Sequence, residues 1–481
     1  MLFNSIEFLF FLPVVFSLYW SFGKHRQIQN LIIVIASYFF YGWWDWRFLL
    51  LIAATSAFSF LSGLLLKTFD SNNARRKMVS AANILLNLAI LALFKYYNFF
   101  AENLEQLLGV LGWHIDFVTL NIVLPVGISF YTFQALSYTI DVYMRKIEPT
   151  KDVVEFFAYI SFFPQLVAGP IERATNLLPQ FQRKRRFSYA TAVDGMRQML
   201  WGFVKKVLIA DNCAYIVNKY WDLYPEFSGI SLLALAILFS IQIYGDFSGY
   251  SDIAIGCSRL FGFDLKRNFQ FPYFSRNIPD FWRRWHISLM TWFRDYVYFP
   301  LGGSRCSRVK TIRNIFVVWG ISGLWHGANW TFVVWGLYHA LLLAVSNLLG
   351  LNKKYQPSTA QSFSLVPSLR EFLQMAVTFS LVVLGWIFFR ASNISQAFHF
   401  ISHMFATLTD SAHIGFEKDA IYLSLAMLLI EWLQRDKQHA LQLPDKKPFN
   451  QKCFRWALYA ILLVLVVCLR GQSQTFIYFQ F

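Results

Sequence analysis

Long apolar runs separated by short polar loops dominate the chain. A run of about 20 apolar residues is long enough to cross a bilayer as a helix. Apolar runs, several of them shorter than this, occupy residues 6–20, 31–44, 49–66, 83–100, 121–142, 230–243, 332–349, 372–389, 420–432 and 457–468. Together with the region between the sixth and seventh runs, they predict an all-α polytopic membrane protein with about eleven transmembrane helices. We interpret residues 1–481 as a single integral-membrane domain.

The loop charges predict how the chain is oriented. Basic residues follow the first run at Lys24 and Arg26 and the third at 75–77, and they recur between 435 and 455. Because basic loops stay on the cytoplasmic side, the N-terminus is expected to be extracytoplasmic and the acidic loop at 102–116 to lie outside. The first run has neither a basic stretch before it nor a clear cleavage site, so we expect it to be a retained helix.

The regular alternation of successive loops between the cytoplasmic and the outer side of the membrane fails at residues 153–168. The basic cluster at 183–186 should again be cytoplasmic, but one full crossing would place it outside. We therefore predict that residues 169–172 are the turn of a re-entrant or in-plane segment, since irregular backbone at membrane depth must be covered by protein or line a cavity. Two short tilted spans are the alternative.

The composition agrees with a membrane protein. Hydrophobic residues make up 56% of the chain and charged residues 15%, and the mean hydropathy of +0.42 excludes an ordinary soluble domain. The net charge of +16 is spread over many loops, which favours contacts with membrane lipids over nucleic acid. The five cysteines stand singly, so neither a disulfide framework nor a zinc site follows from them. We expect no metal and no tightly bound cofactor. Cys306, among basic residues, is lipidated, reactive or an inert thiol, and the inert thiol is favoured.

Residues 281–296 predict a two-faced helix. At 100° per residue Arg283, His286 and Arg294 share one face. The opposite face is apolar and carries Phe281, Trp285, Leu289, Trp292 and Tyr296. A histidine is therefore expected on a cationic face backed by aromatic side chains.

A second histidine stands in the sequence GLWHGANW. A polar side chain such as that of His326 costs free energy inside an apolar span, which makes His326 a candidate functional residue. Gly320, Gly323 and Gly327 line a neighbouring face without side chains. We expect either another backbone or a thin ligand to approach closely there.

The sequence YGDFSGYSD at 244–252 predicts a helix break, because it contains two glycines and two carboxylates. Ser251 or Asp252 would cap the helix that resumes at Ile253. Asp246 would then have Arg283, Arg284 or Arg294 as a buried partner. A structural ion pair is favoured over a catalytic role.

Several of these segments together resemble a known family. They are DFWRRWHISLMTWFRDYVYFPLGGSR, GLWHGANWTFVVWGLYHA, LPVGISFYTFQALSYTIDVY, FFPQLVAGPIERATNLLPQF and YGDFSGYSDIAIG. In this order they resemble the membrane-bound O-acyltransferase (MBOAT) superfamily from residue 1 to about 391, and specifically its bacterial branch that O-acetylates alginate, peptidoglycan and related polymers. The resemblance implies an acyltransferase of the bacterial inner membrane, with transmembrane and re-entrant helices around a central catalytic cavity.

The resemblance also implies roles for the two histidines. His326 takes the position of the family's near-invariant histidine, and His286 that of its partner, where other branches carry asparagine or aspartate. A neutral imidazole can accept the proton of a hydroxyl that attacks a thioester near neutral pH. We therefore expect His326 to be the general base and His286 an orienting or oxyanion-stabilising group. The alternative for either histidine is that it only packs in a polar pocket. The candidate substrate-binding residues are Arg283, Arg294, Trp285, Asn329 and Asp246.

The expected donor is a thioester on a pantetheine arm, with acetyl-coenzyme A as the first choice. Arg283, Arg294, Arg305 and Arg308 are candidates to meet its phosphates, and they serve equally well as lipid contacts. The resemblance further implies a polysaccharide acceptor and an extracytoplasmic partner, an SGNH-type O-acetyltransferase. Two alternatives stay open: D-alanyl transfer to teichoic acid from a carrier-protein thioester, and a membrane transporter, which broken helices and intramembrane charges would also suit.

Overall fold

The computed structural model describes residues 1–113, 120, 123–351 and 365–479, and every regular element within them is a helix. Asp116 and most of the loop predicted at 351–367 lie outside the described residues. The contact pattern divides the chain into two units, Met1–Gly195 with Cys257–Lys266 and Met196–Gly256 with Arg267–Phe481. That they act as a single integral-membrane domain stays a prediction.

The first unit contains five long helices followed by three short ones. They are α1 (Ile6–Ser21), α2 (Arg26–Gly42), α3 (Phe48–Thr68), α4 (Asn73–Val110), α5 (Ile128–Tyr143), α6 (Val153–Ser161), α7 (Phe163–Leu166) and α8 (Ala174–Gln182). The fourth predicted span, 83–100, is part of the longer helix α4, which has 38 residues. Asn72 caps the start of this helix, and good helix formers continue it through 102–108. Glu102 and Glu105 therefore lie on a helix and not in the predicted loop.

Residues 153–182 do not form a single span. The helices α6 and α8 have nine residues each and α7 has four, and nine residues extend only about 14 Å against a hydrocarbon core of about 30 Å. The predicted turn at 169–172 is irregular backbone. There the buried carboxylate of Glu172 accepts hydrogen bonds from the Lys266 backbone N–H (2.5 Å) and the Asn176 amide (2.7 Å). Helices this short disfavour two tilted spans, while the membrane depth of the segment stays a prediction.

The basic cluster at 183–186 is not uniformly exposed. Arg185 is buried, donates to the Asn30 side chain (2.7 Å) and the Gln180 carbonyl (3.1 Å), and lies over the ring of Phe263. One of the four charges interpreted as surface topology determinants is therefore a core hydrogen-bond donor, because the planar guanidinium has five N–H groups that several segments can share.

The second unit contains the remaining helices, and the division between the units falls within α9 and α11. They are α9 (Tyr189–Phe203), α10 (Asp211–Tyr220), α11 (Gly229–Leu260), α12 (Ile278–Arg284), α13 (Ile287–Phe293), α14 (Arg308–His326), α15 (Trp330–Leu348), α16 (Leu369–Arg390), α17 (Ile394–Ala406), α18 (Lys418–Leu433) and α19 (Lys452–Cys468). Two π-helical segments, Val204–Ala210 and Arg294–Tyr298, continue α9 and α13.

Five helices of the described residues are long and apolar enough to cross a membrane: α3, α4, α11, α15 and α16. The all-α membrane class is therefore confirmed. The count of about eleven crossings is not, since the other predicted spans form shorter helices such as α1 with 16 residues and α19 with 17.

The helix break predicted at 244–252 is wrong. Helix α11 runs unbroken through this stretch, and its glycines allow close packing instead of a turn. A Cβ added to Gly249 would lie 2.8 Å from the Gly202 carbonyl and 3.0 Å from the Lys206 backbone nitrogen. Asp252 is consequently a mid-helix residue and not an N-cap; its carboxylate lies 2.5 Å from the Lys205 ammonium.

The three glycines near His326 have different neighbours, and at Gly323 the neighbour is the backbone of another helix. A Cβ on Gly323 would clash with the Phe332 carbonyl of α15, and one on Gly336 with the Trp319 carbonyl of α14. At Gly327 the ring of Phe332 fills the space. Of the two occupants that the sequence left open, the structure shows a backbone at Gly323, a side chain at Gly327 and no close neighbour at Gly320. The contacts of Gly323 and Gly336 make α14 and α15 a tightly packed hairpin.

This packing makes Gly323→Ala a sharp test of the hairpin. The added methyl group must push α15 away, and overpacking of this kind typically costs about 1–3 kcal/mol. We expect a lower unfolding temperature by tryptophan fluorescence in detergent. Gly320→Ala is the matched control, because the nearest atom to its new Cβ is 4.0 Å away; equal unfolding temperatures for the two variants would contradict the hairpin packing.

Candidate active site

His286 lies in a break between two helices and not on a helix face. Its φ of 45° and ψ of 52° are left-handed, and it separates α12 from α13. The single helix predicted over 281–296 is therefore wrong. The reason is a competing segment: the Gln270 N–H donates to the Arg284 carbonyl and the Ile287 N–H to the Asn268 carbonyl, both at 2.9 Å. These bonds satisfy backbone groups that a continuous helix would have paired internally.

The break separates His286 from the arginines that were placed beside it. Arg283 is exposed, and the half-exposed Arg294 forms an ion pair with Asp295 at 2.7 Å. Trp285 is buried against Trp386, with ring centroids 4.9 Å apart. The common cationic face is absent, and the substrate-binding roles of these three residues stay predictions.

His326 is the last residue of α14 and is buried in aromatic side chains. Its ring centroid lies 4.9 Å from that of Trp335 on α15 and 5.4 Å from that of Phe389 on α16. The hairpin described above brings Trp335 to this position. Three helices, α14, α15 and α16, thus enclose the His326 imidazole.

The two histidines face the same aromatic cluster. The Trp325 ring lies 6.0 Å from His286 and 4.9 Å from His326, and the Tyr478 ring lies 6.2 Å and 5.8 Å from them. Phe247 of α11 packs on His286 at 4.6 Å. The structure therefore brings His286 and His326 to the same rings, while their catalytic roles stay predictions. We call this cluster the histidine site.

Tyr478 was not among the residues predicted from the sequence. It belongs to a short 3₁₀ turn, Ile477–Phe479, close to the C-terminus, and its ring contacts Phe247 as well as both histidines. The signal that could have found it is the run FIYF after the last apolar span, an aromatic cluster placed where a simple tail would be polar.

Asp246 forms a structural ion pair, but not with an arginine. Its carboxylate lies 2.8 Å from the ammonium of Lys206, and both groups are buried. Arg284, one of the predicted partners, pairs instead with Asp280 on its own helix, also at 2.8 Å. The sequence did contain a signal for this pair, namely the adjacent lysines 205 and 206 in an apolar stretch. A buried ammonium requires a carboxylate partner.

Asn329 caps a helix. Its side-chain oxygen accepts from the Thr331 N–H at 2.9 Å at the start of α15, and its amide donates to the Ser392 carbonyl at 2.9 Å. These bonds hold the end of the α14–α15 connection next to His326. A direct contact between Asn329 and substrate stays a prediction.

The environment of His286 keeps its imidazole neutral. Burial lowers the pKa of His286 to about 3, and the residue lies outside the five candidate spans. A neutral imidazole can donate through one ring nitrogen and accept through the other. Within the described residues no group of three or more His, Cys, Asp or Glu side chains is arranged to hold a metal ion.

The lowered pKa predicts a pH dependence of stability. Between pH 6.5 and about 3 the unfolded chain binds a proton at His286 that the folded protein excludes, so stability should fall as the pH drops through this window. His286→Asn removes the group and tolerates the left-handed backbone. We expect the unfolding temperature of the wild type to fall more steeply from pH 7 to pH 4.5 than that of the variant; parallel curves would contradict the neutral, buried histidine.

A family model and several individual proteins match this chain, and all of them indicate the same family. The sequence model of the membrane-bound O-acyltransferase (MBOAT) family matches residues 38–385. A probable alginate O-acetylase of Pseudomonas aeruginosa is 40% identical, covering 84% of this chain and 75% of the relative; one of Pseudomonas putida is 36% identical, with both chains fully covered. A peptidoglycan O-acetyltransferase of Helicobacter pylori is 34% identical, covering 84% of this chain and 80% of its own. Both histidines lie inside the region matched by the family model, and Tyr478 lies beyond it.

Proposed function

Because the chain belongs to the membrane-bound O-acyltransferase family and is an acyltransferase, we propose that it O-acetylates a cell-envelope polysaccharide of the alginate or peptidoglycan type. The names of the relatives support the acetyl group and the polymer class. The observation that carries the proposal is the meeting of His286 and His326 at one buried aromatic site.

In the proposed reaction His326 is the general base. A hydroxyl oxygen attacks the thioester carbonyl carbon while the hydroxyl proton passes to the His326 imidazole. The C–S bond then breaks, and the thiolate leaving group takes the proton from the imidazolium and leaves as the thiol. His286, held neutral, donates a hydrogen bond to the developing oxyanion or orients its partner. The surrounding tryptophan and phenylalanine rings exclude water, which strengthens these electrostatic interactions and limits hydrolysis of the donor.

The donor and the route are part of the proposal. We assign acetyl-coenzyme A, or another pantetheine thioester, as the donor from the cytoplasmic side, and an extracytoplasmic SGNH-type O-acetyltransferase as the partner that receives the acetyl group. The protein then lies in the bacterial inner membrane with its N-terminus outside. About eleven crossings and a re-entrant segment at 153–182 would surround a central cavity. The basic loops of the sequence support this orientation.

The histidine assignment predicts a large and specific loss of activity. His326→Gln should leave a folded protein that binds donor but should lower turnover by about 10² to 10⁴, the usual contribution of a positioned base. His286→Asn should cost less if His286 orients its partner, and nearly as much if it holds the oxyanion. Transfer of radiolabelled acetyl groups measures the effect. His399→Gln is the control, because this histidine is exposed on α17; near-normal transfer by His326→Gln would overturn the mechanism.

The donor assignment predicts the outcome of a competition. The purified protein should take the acetyl group from acetyl-coenzyme A in preference to the D-alanyl group of an aminoacyl carrier protein, when both are offered with separate isotope labels. Preference for the carrier protein would favour teichoic acid D-alanylation. Substrate counterflow in vesicles, with no cleavage of either thioester, would favour a transporter.

A further inference from the structure

The chain after α19 is held against α10 by side-chain hydrogen bonds. The Asn212 amide donates to the Leu469 carbonyl and the Asn218 amide to the Gln474 side-chain oxygen, each at 3.0 Å. A Cβ added to Gly471 would lie 2.7 Å from the Asn212 side-chain oxygen. We call residues 469–479 the C-terminal strap. It lies in contact with α10 along several residues of its length.

A buried charge cluster binds the backbone of the strap. Lys206, Asp211 and Asp246 are each no more than 3% exposed, and the Lys206 ammonium lies 2.8 Å from both carboxylates. Its third contact is the Gln474 carbonyl at 3.3 Å. An ammonium has three N–H donors, so this set of acceptors uses all of them, and one of the three belongs to the strap.

The second carboxylate of the cluster also reaches the strap. Asp246 accepts a hydrogen bond of 2.7 Å from the backbone N–H of Ile477, the residue immediately before Tyr478. Phe476, on the other side of Ile477, packs its ring on Tyr250 of α11 at 4.8 Å. The backbone just before Tyr478 is therefore fixed by one charge-assisted hydrogen bond and one ring contact.

This attachment determines what lies against the two histidines. The Tyr478 ring contacts His286, His326 and Phe247, and it reaches them only along the backbone that Asp246 holds. Three buried charges cost much more to place than apolar residues of the same size. A hydrogen bond to a backbone N–H, however, is a function that an apolar side chain cannot provide.

We propose that Asp246 and Lys206 are positioning residues, which hold the C-terminal strap so that Tyr478 completes the histidine site and the strap is required for turnover. The requirement for turnover rests on the proposed function. The attachment of the strap does not, and it can be measured without any transfer reaction.

Two substitutions of Asp246 separate the hydrogen bond from the charge. Asp246→Asn keeps an oxygen for the Ile477 N–H and leaves Lys206 paired with Asp211, so the strap should stay in place. Asp246→Ala removes the acceptor. We expect carboxypeptidase to shorten the alanine variant into the strap, as intact mass shows, at a rate at least tenfold above that of the wild type or the asparagine variant. Equal digestion of all three proteins would overturn the attachment.

A disulfide tests whether the strap acts through position alone. Asn212→Cys with Gly471→Cys joins α10 to the strap where their atoms already meet. In the Asp246→Ala background kcat should fall by about ten- to a hundredfold, as expected for a displaced catalytic site, with a smaller change in KM for the donor. Oxidation should restore turnover and a reductant should remove it again. A folded, oxidised variant that stays inactive would overturn the positioning role.

The two proposals fail in different ways. If the wild type transfers no acetyl group while digestion depends on Asp246 as described, the proposed function is wrong and the attachment stands. If acetyl transfer is normal in Asp246→Ala although its strap is digested, the proposed function stands and the requirement for the strap is wrong. Removal of residues 469–481 by an early stop codon gives the reference for complete loss.

Discussion

Two buried lysines determine how α11 packs in the second unit, because each buried ammonium must lie next to a carboxylate. Lys205 lies 2.5 Å from Asp252 and Lys206 lies 2.8 Å from Asp246, and both carboxylates stand on α11. An unpaired buried charge would cost several kcal/mol. Helix α11 must therefore present both carboxylates to the π-helical segment Val204–Ala210, which an unbroken helix does. The close approach that this requires explains the glycines on the facing surfaces.

The histidine site depends on that constraint and on a second, local one. His286 adopts left-handed backbone that costs about 1–3 kcal/mol for a non-glycine residue. The cost is offset by the hydrogen bonds that Asn268 and Gln270 make on either side of it. Strained backbone that neighbouring segments hold in place is common at active sites, where it fixes the direction of one side chain. Here it turns the imidazole toward Phe247, Trp325 and Tyr478.

The glycine residues show why local patterns were interpreted incorrectly in one place and left open in another. Gly245 and Gly249 predicted a helix break, and Gly323 allowed for a backbone or a ligand. In both places the missing side chain makes room for a neighbouring helix. A glycine lowers the cost of a turn and the cost of close packing equally well, so the residue itself cannot distinguish the two. The choice depends on which segment lies opposite, and that segment is distant in sequence.

The sequence by itself determined the membrane class, the approximate positions of the long helices and the family, and it singled out His286 and His326 as candidates. The membrane class and the helix positions depend on hydrophobicity within about 20 neighbouring residues, and the family on short motifs whose order along the chain is read directly from the sequence. Only the tertiary structure decided that Lys206 and not an arginine pairs with Asp246, that Arg185 is buried, and that Tyr478 meets His286 and His326. Each of these is a contact between segments far apart in the chain. A charge, a guanidinium or a ring has many possible partners of equal chemistry, and the packed backbone alone determines which of them lies within reach.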